Sequence, residues 1–146
     1  MKYTDKLKSA IDAATKANNN KDEISNTIDE LNISVENFSD GKAALVIATK
    51  YKTRKNTYSS AIAAAAGFLT GVQQDEYQAI CLYDTSKDEQ YELAEWKVPK
   101  EGYPVVITDN GRDVYCYSRD ELEVALADII SSVVAGEYLL KIMNNN

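Results

Sequence analysis

Asn110-Gly111 stands between two alternating apolar runs, and no other dipeptide in the chain restricts the fold as strongly. Both central residues of a type I′ hairpin turn need positive φ, which Asn and Gly tolerate best. A two-residue loop then sets the register. Asp109 faces Arg112, Ile107 faces Val114, and Val105 faces Cys116. Successive strand side chains alternate between faces, so Val105, Ile107, Val114 and Cys116 share one face, while Pro104, Val106, Tyr115 and Tyr117 share the other. Both sets are largely apolar, and both faces are expected to be at least partly covered. Pro104 suits the first residue of a strand, where its missing N–H breaks no central ladder.

The hairpin runs directly into a helix signal. Ser118 with Glu121 forms a capping box, in which side chain and backbone satisfy each other's orphan N–H groups. Asp120, Glu121 and Glu123 complement the positive end of the helix dipole. Leu122, Ala125, Leu126, Ile129, Ile130 and Val133 recur at helical spacing and define a buried stripe. Gly136 is expected to stop this helix. Glu137 to Met143 can form one further short helix, and Asn144 to Asn146 should fray.

Towards the start of the chain, Thr4 can cap a first helix. Its apolar positions keep one phase across the Asn18-Asn19-Asn20 interruption. Leu7, Ala14, Lys21, Ile28 and Val35 fall at one heptad position, and Ala10, Ala17, Ile24, Leu31 and Phe38 at the other. One long helix, or two collinear ones, follows over residues 1–38. The rival reading ends the helix near Asn32 and makes Ile33 to Phe38 a strand. Further strands are expected at 43–51, 77–83 and 91–98, joined to the hairpin strands 104–109 and 112–117 through the turn Pro99 to Gly102. Tyr58 to Thr70 reads as a short, small-residue helix, or as a strand from Tyr58 to Ala64. Short connections favour a meander. The expected fold is α+β: an antiparallel sheet of four to five strands packed against a long N-terminal helix and a C-terminal helix, in one domain spanning 1–146.

Chemistry is limited by what the composition omits. The chain has no histidine, which removes the commonest general acid–base group and metal ligand. Two cysteines without histidine cannot build a four-ligand zinc site. No phosphate loop, dinucleotide fingerprint or EF-hand loop is present, and no cofactor is expected. Cys81 and Cys116 lie in expected strands and read as buried, reduced thiols, with a disulfide between them as the alternative. Glu92 and Glu95, three apart on one strand, are expected to point to opposite faces.

The net charge of −7 argues against a general nucleic-acid binder and permits a partner with a basic surface. Residues 41–58 run against this balance, with five basic and no acidic residues. Lys50, Tyr51, Lys52, Arg54 and Lys55 can contact phosphates with a tyrosine stacked on a base, or guard a sheet edge. Ten tyrosines against two phenylalanines suit interfaces, and Tyr115 and Tyr117 are candidates for that use. No apolar segment follows Lys2, Lys6 and Lys8, so no secretory leader is expected. The uncharged run Asn56 to Gln74 is too polar at its ends to read as a membrane span, and a cytoplasmic location is expected.

From Trp96 through Ala135 the pattern of a tryptophan strand, Gly102-Tyr103-Pro104-Val105, a hairpin and a capped helix resembles small uncharacterised proteins of phages and prophages. The resemblance covers the last third of the chain. It implies a small accessory protein, and it assigns no catalytic residue. The expected function is a non-enzymatic protein-binding or inhibitory accessory protein acting through an acidic, tyrosine-rich surface, with a possible second copy paired through the N-terminal helix. The alternative is a nucleic-acid-associated protein using the basic 50–55 segment.

Overall fold

A computed structural model describes residues 2–53 and 74–144. The expected Tyr58–Thr70 element, Arg54 and Lys55 lie outside the described residues.

Helix α1 (Tyr3–Phe38) is unbroken over 36 residues, a length of about 54 Å at the usual rise. The helix begins one residue before Thr4. Its N-cap is Lys2, which makes no side-chain cap bond. Asn18 to Asn20 do not interrupt it. Each asparagine costs only about 0.7 kcal/mol against alanine in a helix, and the Asn20 amide donates to the carbonyl of Glu101 at 3.1 Å. The strand alternative for Ile33–Phe38 is excluded by the same helix. It ends where Asp40 and Gly41 take positive φ (55° and 79°) and the Gly41 N–H reaches back to the Glu36 carbonyl at 2.8 Å. Ile24 and Val35 are buried, with Ile28 and Leu31 packed beside them. Phe38, in phase with them, is exposed because the helix has by then reached the end of the body.

Strands β1 (Ala43–Thr53), β2 (Gln74–Asp84), β3 (Glu89–Lys97), β4 (Val105–Asp109) and β5 (Arg112–Cys116) form one antiparallel sheet in the order β1-β2-β3-β4-β5. This is the expected meander. The hairpin register is the one the Asn110-Gly111 turn demands, with Asp109 opposite Arg112 and Val105 opposite Cys116, and both turn residues have positive φ. β4 starts just after Pro104, whose bond to Tyr103 is cis. Gly102, at φ 94°, lets the preceding turn touch α1: a Cβ there would sit 2.6 Å from the Asn20 Cβ.

Helices α2 (Arg119–Ile130) and α3 (Val133–Met143) complete the chain. α2 opens as expected, with the Ser118 hydroxyl accepting from the Glu121 N–H. Its end differs from expectation. The helix stops at Ile130, and Ser132 caps a new helix by accepting from the Ala135 N–H. Val133 therefore leaves the buried stripe and is 77% exposed, and Gly136 sits inside α3 instead of terminating α2. A serine pair outweighs the glycine here because a hydroxyl at the N-cap satisfies an orphan donor, while one glycine within a helix costs only about 1 kcal/mol.

The three described helices lie on one face of the sheet. Leu45, Ile80, Leu82, Trp96, Val105, Ile107 and Cys116 meet Ile24, Leu122, Leu126 and Ile142 in a single core. Each fully buried aliphatic side chain contributes roughly 1.5–3 kcal/mol, which is what holds the helix layer to the sheet. Among the described residues no helix is long and apolar enough to cross a membrane.

Candidate interaction surfaces

The face of the sheet away from the helices carries a polar layer. Lys50 on β1 donates to Gln90 on β3 at 3.0 Å, Lys52 pairs with Glu95, and the Tyr77 hydroxyl donates to Glu92 at 2.8 Å. The two lysine links reach from β1 to β3 across β2, where Ala79 and Cys81 are fully buried. The Lys52 ammonium also lies over the Tyr77 ring, 4.6 Å from its centre.

Glu92 and Glu95 lie on this same face, against expectation. Ile80 is opposite Ala94 but Cys81 is opposite Glu92, so Leu93 is an extra residue on β3. A bulge of this kind shifts the alternation by one, and Leu93 turns into the core beside Ala94. Both carboxylates are engaged by neighbouring donors. The Glu92 hydrogen bond, with burial second, pushes the Tyr77 phenol up to about 12. Burial raises the Cys81 thiol, against the opposing pull of Lys50. No group of three or more Cys, Asp or Glu among the described residues is placed to hold a metal.

Of the basic segment, Lys50 and Lys52 are thus bonded within the sheet. Tyr51 falls on the opposite face by strand alternation and is exposed, so it does not interleave with them on one surface. Arg54 and Lys55 lie outside the described residues. Cys81 and Cys116 are unpaired and buried. They occupy opposite faces of the sheet three strand positions apart, about 14 Å at the usual strand spacing, beyond the reach of a disulfide.

The two edges of the sheet differ. At the start of β1, α1 and its C-cap residue Ser39 supply partners for outward backbone groups. Asn32 Oδ1 accepts from the Leu45 N–H at 2.8 Å, and the Ser39 hydroxyl bonds both the N–H and the carbonyl of Ala43. On β5 the alternation set by the turn directs the backbone N–H and C=O of Asp113 and Tyr115 away from β4. Four of its five residues are exposed, including Val114 and Tyr115 (51%), and Tyr117 just beyond is 65% exposed. The hairpin's outer face, expected to be partly covered, is therefore open at these tyrosines, because every described helix packs on the other side.

Between β5 and α2 runs a groove. Two adjoining hollows of about 360 and 380 Å³ share Val114 and Ala125. Their walls include Asp120, Glu121, Val124 and Asp128 from α2. A separate apolar cleft of about 280 Å³ lies among α1, α2 and α3 near Phe38, with Ser34 its one polar side chain. On α1, residues 2–16 are all exposed, so the first four turns form an arm free of the body.

No family model, curated protein or solved structure matches this chain. Tyr115 and Tyr117 were legible as candidates from the hairpin register. The β5–α2 groove was not, because only the packing of α2 beside the strand creates it. Its trace in the sequence is the spacing of Asp120, Val124 and Asp128, one stripe of the helix opposite the buried one.

Proposed function

We propose that this chain is a non-enzymatic protein-binding or inhibitory accessory protein, cytoplasmic and of phage or prophage type, acting through the acidic, tyrosine-bearing surface formed by β5 and α2. One observation supports the reading above others: α1 and its C-cap residue cover outward backbone groups of β1, whereas β5 is left exposed. Folded proteins blunt free edges with lysine, proline, a bulge or a covering element, because an open edge recruits other chains. β5 has no lysine, proline or bulge; its two charges, Arg112 and Asp113, sit at the turn end, and beyond them Val114 and Tyr115 are exposed beside the α2 acids. Aromatic side chains around an open backbone edge suit a protein partner, and the acids favour one with basic side chains. The nucleic-acid alternative draws less support, since Lys50 and Lys52 already have acceptors in the sheet.

The test is retention of proteins from a bacterial lysate on the immobilised chain, compared with a Tyr115→Glu/Tyr117→Glu variant. Both side chains are exposed, so the variant should keep its circular dichroism. A protein held by the parent and lost by the variant is the expected result. Equal retention by both, or no retention at low salt, would overturn the proposal.

A further inference from the structure

The geometry points to the N-terminal arm of a second copy of this chain as an occupant of the β5–α2 groove. This rests on the reading of that surface as a protein-binding site and names its partner.

The arm has the properties of a ligand. Tyr3, Leu7 and Ile11 recur at i, i+4 and i+8 and are 76%, 65% and 65% exposed. Leu7 continues the heptad phase in which Ile28 and Val35 pack on the body, and Tyr3 extends the phase of Ile24 and Leu31. An amphipathic helix lays such anchors into an apolar groove. A helix of fifteen residues has little stability of its own in water, so a surface that receives it gains from finding it already extended from a folded body. The arm is also basic. Residues 2–16 hold four lysines against two aspartates, while the whole chain carries −7. Its N-cap provides no side-chain acceptor, and Asp5 is the one acid in its first turn, so a further carboxylate is favoured there by the helix dipole.

The groove is part apolar and mostly acidic, with Arg112 the one basic side chain along it. Val114 and Ala125 give it an apolar lining, the exposed Val124 stands at its rim, and Asp120 and Asp128 lie on either side of Val124 along α2. Asp120, Val124 and Asp128 repeat at the spacing of Tyr3, Leu7 and Ile11. Among the described residues neither these aspartates nor Lys2, Lys6 and Lys8 take part in an ion pair, so docking would neutralise charges that are otherwise unmatched. The arm of the same molecule is not available for this. α1 is continuous, and Asn20 is held against Glu101 and Gly102, so folding the arm back would require breaking the helix there. Reciprocal exchange between two copies closes the arrangement with twofold symmetry and uses both arms and both grooves.

Analytical ultracentrifugation of the full chain at low salt tests the inference. A dimer is expected, weakening as salt rises. Lys6→Glu/Lys8→Glu should weaken it at least tenfold, Asp120→Lys/Asp128→Lys should do the same, and the four changes combined should restore it. All four residues are exposed, and circular dichroism checks the fold of each variant. A strict monomer overturns the inference. So does a dimer indifferent to the aspartate reversals, which would show the arms pairing with each other. If the chain is monomeric yet still loses its lysate partner on Tyr115→Glu/Tyr117→Glu, only the self-docking falls and the protein-binding reading stands.

Discussion

The Tyr77 phenol shows how one side chain reports on a surface. Its hydroxyl donates to Glu92, and that bond is the main reason its pKa rises to about 12. Tyr91, bonded to Glu89, is likewise raised to about 12. An unfolded tyrosine ionises near 10, so the folded state keeps these protons longer. Their contribution to stability is complete below about pH 10 and is lost as pH rises towards about 12. An alkaline titration followed by phenolate absorbance should therefore show a late-ionising group of tyrosines. Tyr77→Phe should remove one from it and lessen the alkaline loss of stability. If the variant leaves the late phase unchanged, the Tyr77–Glu92 bond does not persist in solution. The same residues expose a limit of reading by alternation. Simple alternation places Glu92 and Glu95 on opposite faces, and the extra residue Leu93 brings them together. Nothing local marks that bulge, since Leu93 satisfies a strand pattern equally well on either face.

At the scale of elements, capping and turn chemistry were readable where a signal stood alone and misread where two competed. The Asn110-Gly111 turn holds, and so does the Ser118 cap on the Glu121 N–H, but the Glu121 carboxylate accepts from the Tyr117 N–H and not from that of Ser118. At the junction of α2 and α3 a glycine stop competes with a serine cap, and the helix ends at Ser131-Ser132. Gly136 now lies in a helix interior, where a Cβ would meet nothing within 4 Å. Gly136→Ala should therefore raise stability by roughly 0.5–1 kcal/mol, measured by urea denaturation. A glycine acting as a left-handed helix stop would respond in the opposite direction, so a loss of stability would return the stop to Gly136. The continuous α1 was likewise legible from a heptad phase that survives three asparagines. That its first four turns leave the body was not, because the same stripe serves a packed helix and an unpartnered one.

At the scale of the molecule, the sheet separates the two cysteines. Burial is the main cause raising both thiols above their ordinary range, and reactivity follows the thiolate. Under native conditions a thiol reagent should label neither cysteine faster than global unfolding permits, and in denaturant it should label both. Rapid labelling of Cys81 alone would mean that the polar layer above it opens locally. The sequence by itself determined the α+β class, the meander order and the hairpin register, and it favoured a long first helix without excluding a break near Asn32. These follow from periodicity, turn residues and short connections, which act between near neighbours in the chain. Only the tertiary structure decided which sheet face the helices cover, that α1 and its C-cap residue meet one edge while β5 stays open, and that α2 and β5 form an acid-walled groove. Those outcomes depend on where distant segments come to rest, and many placements satisfy the same local pattern.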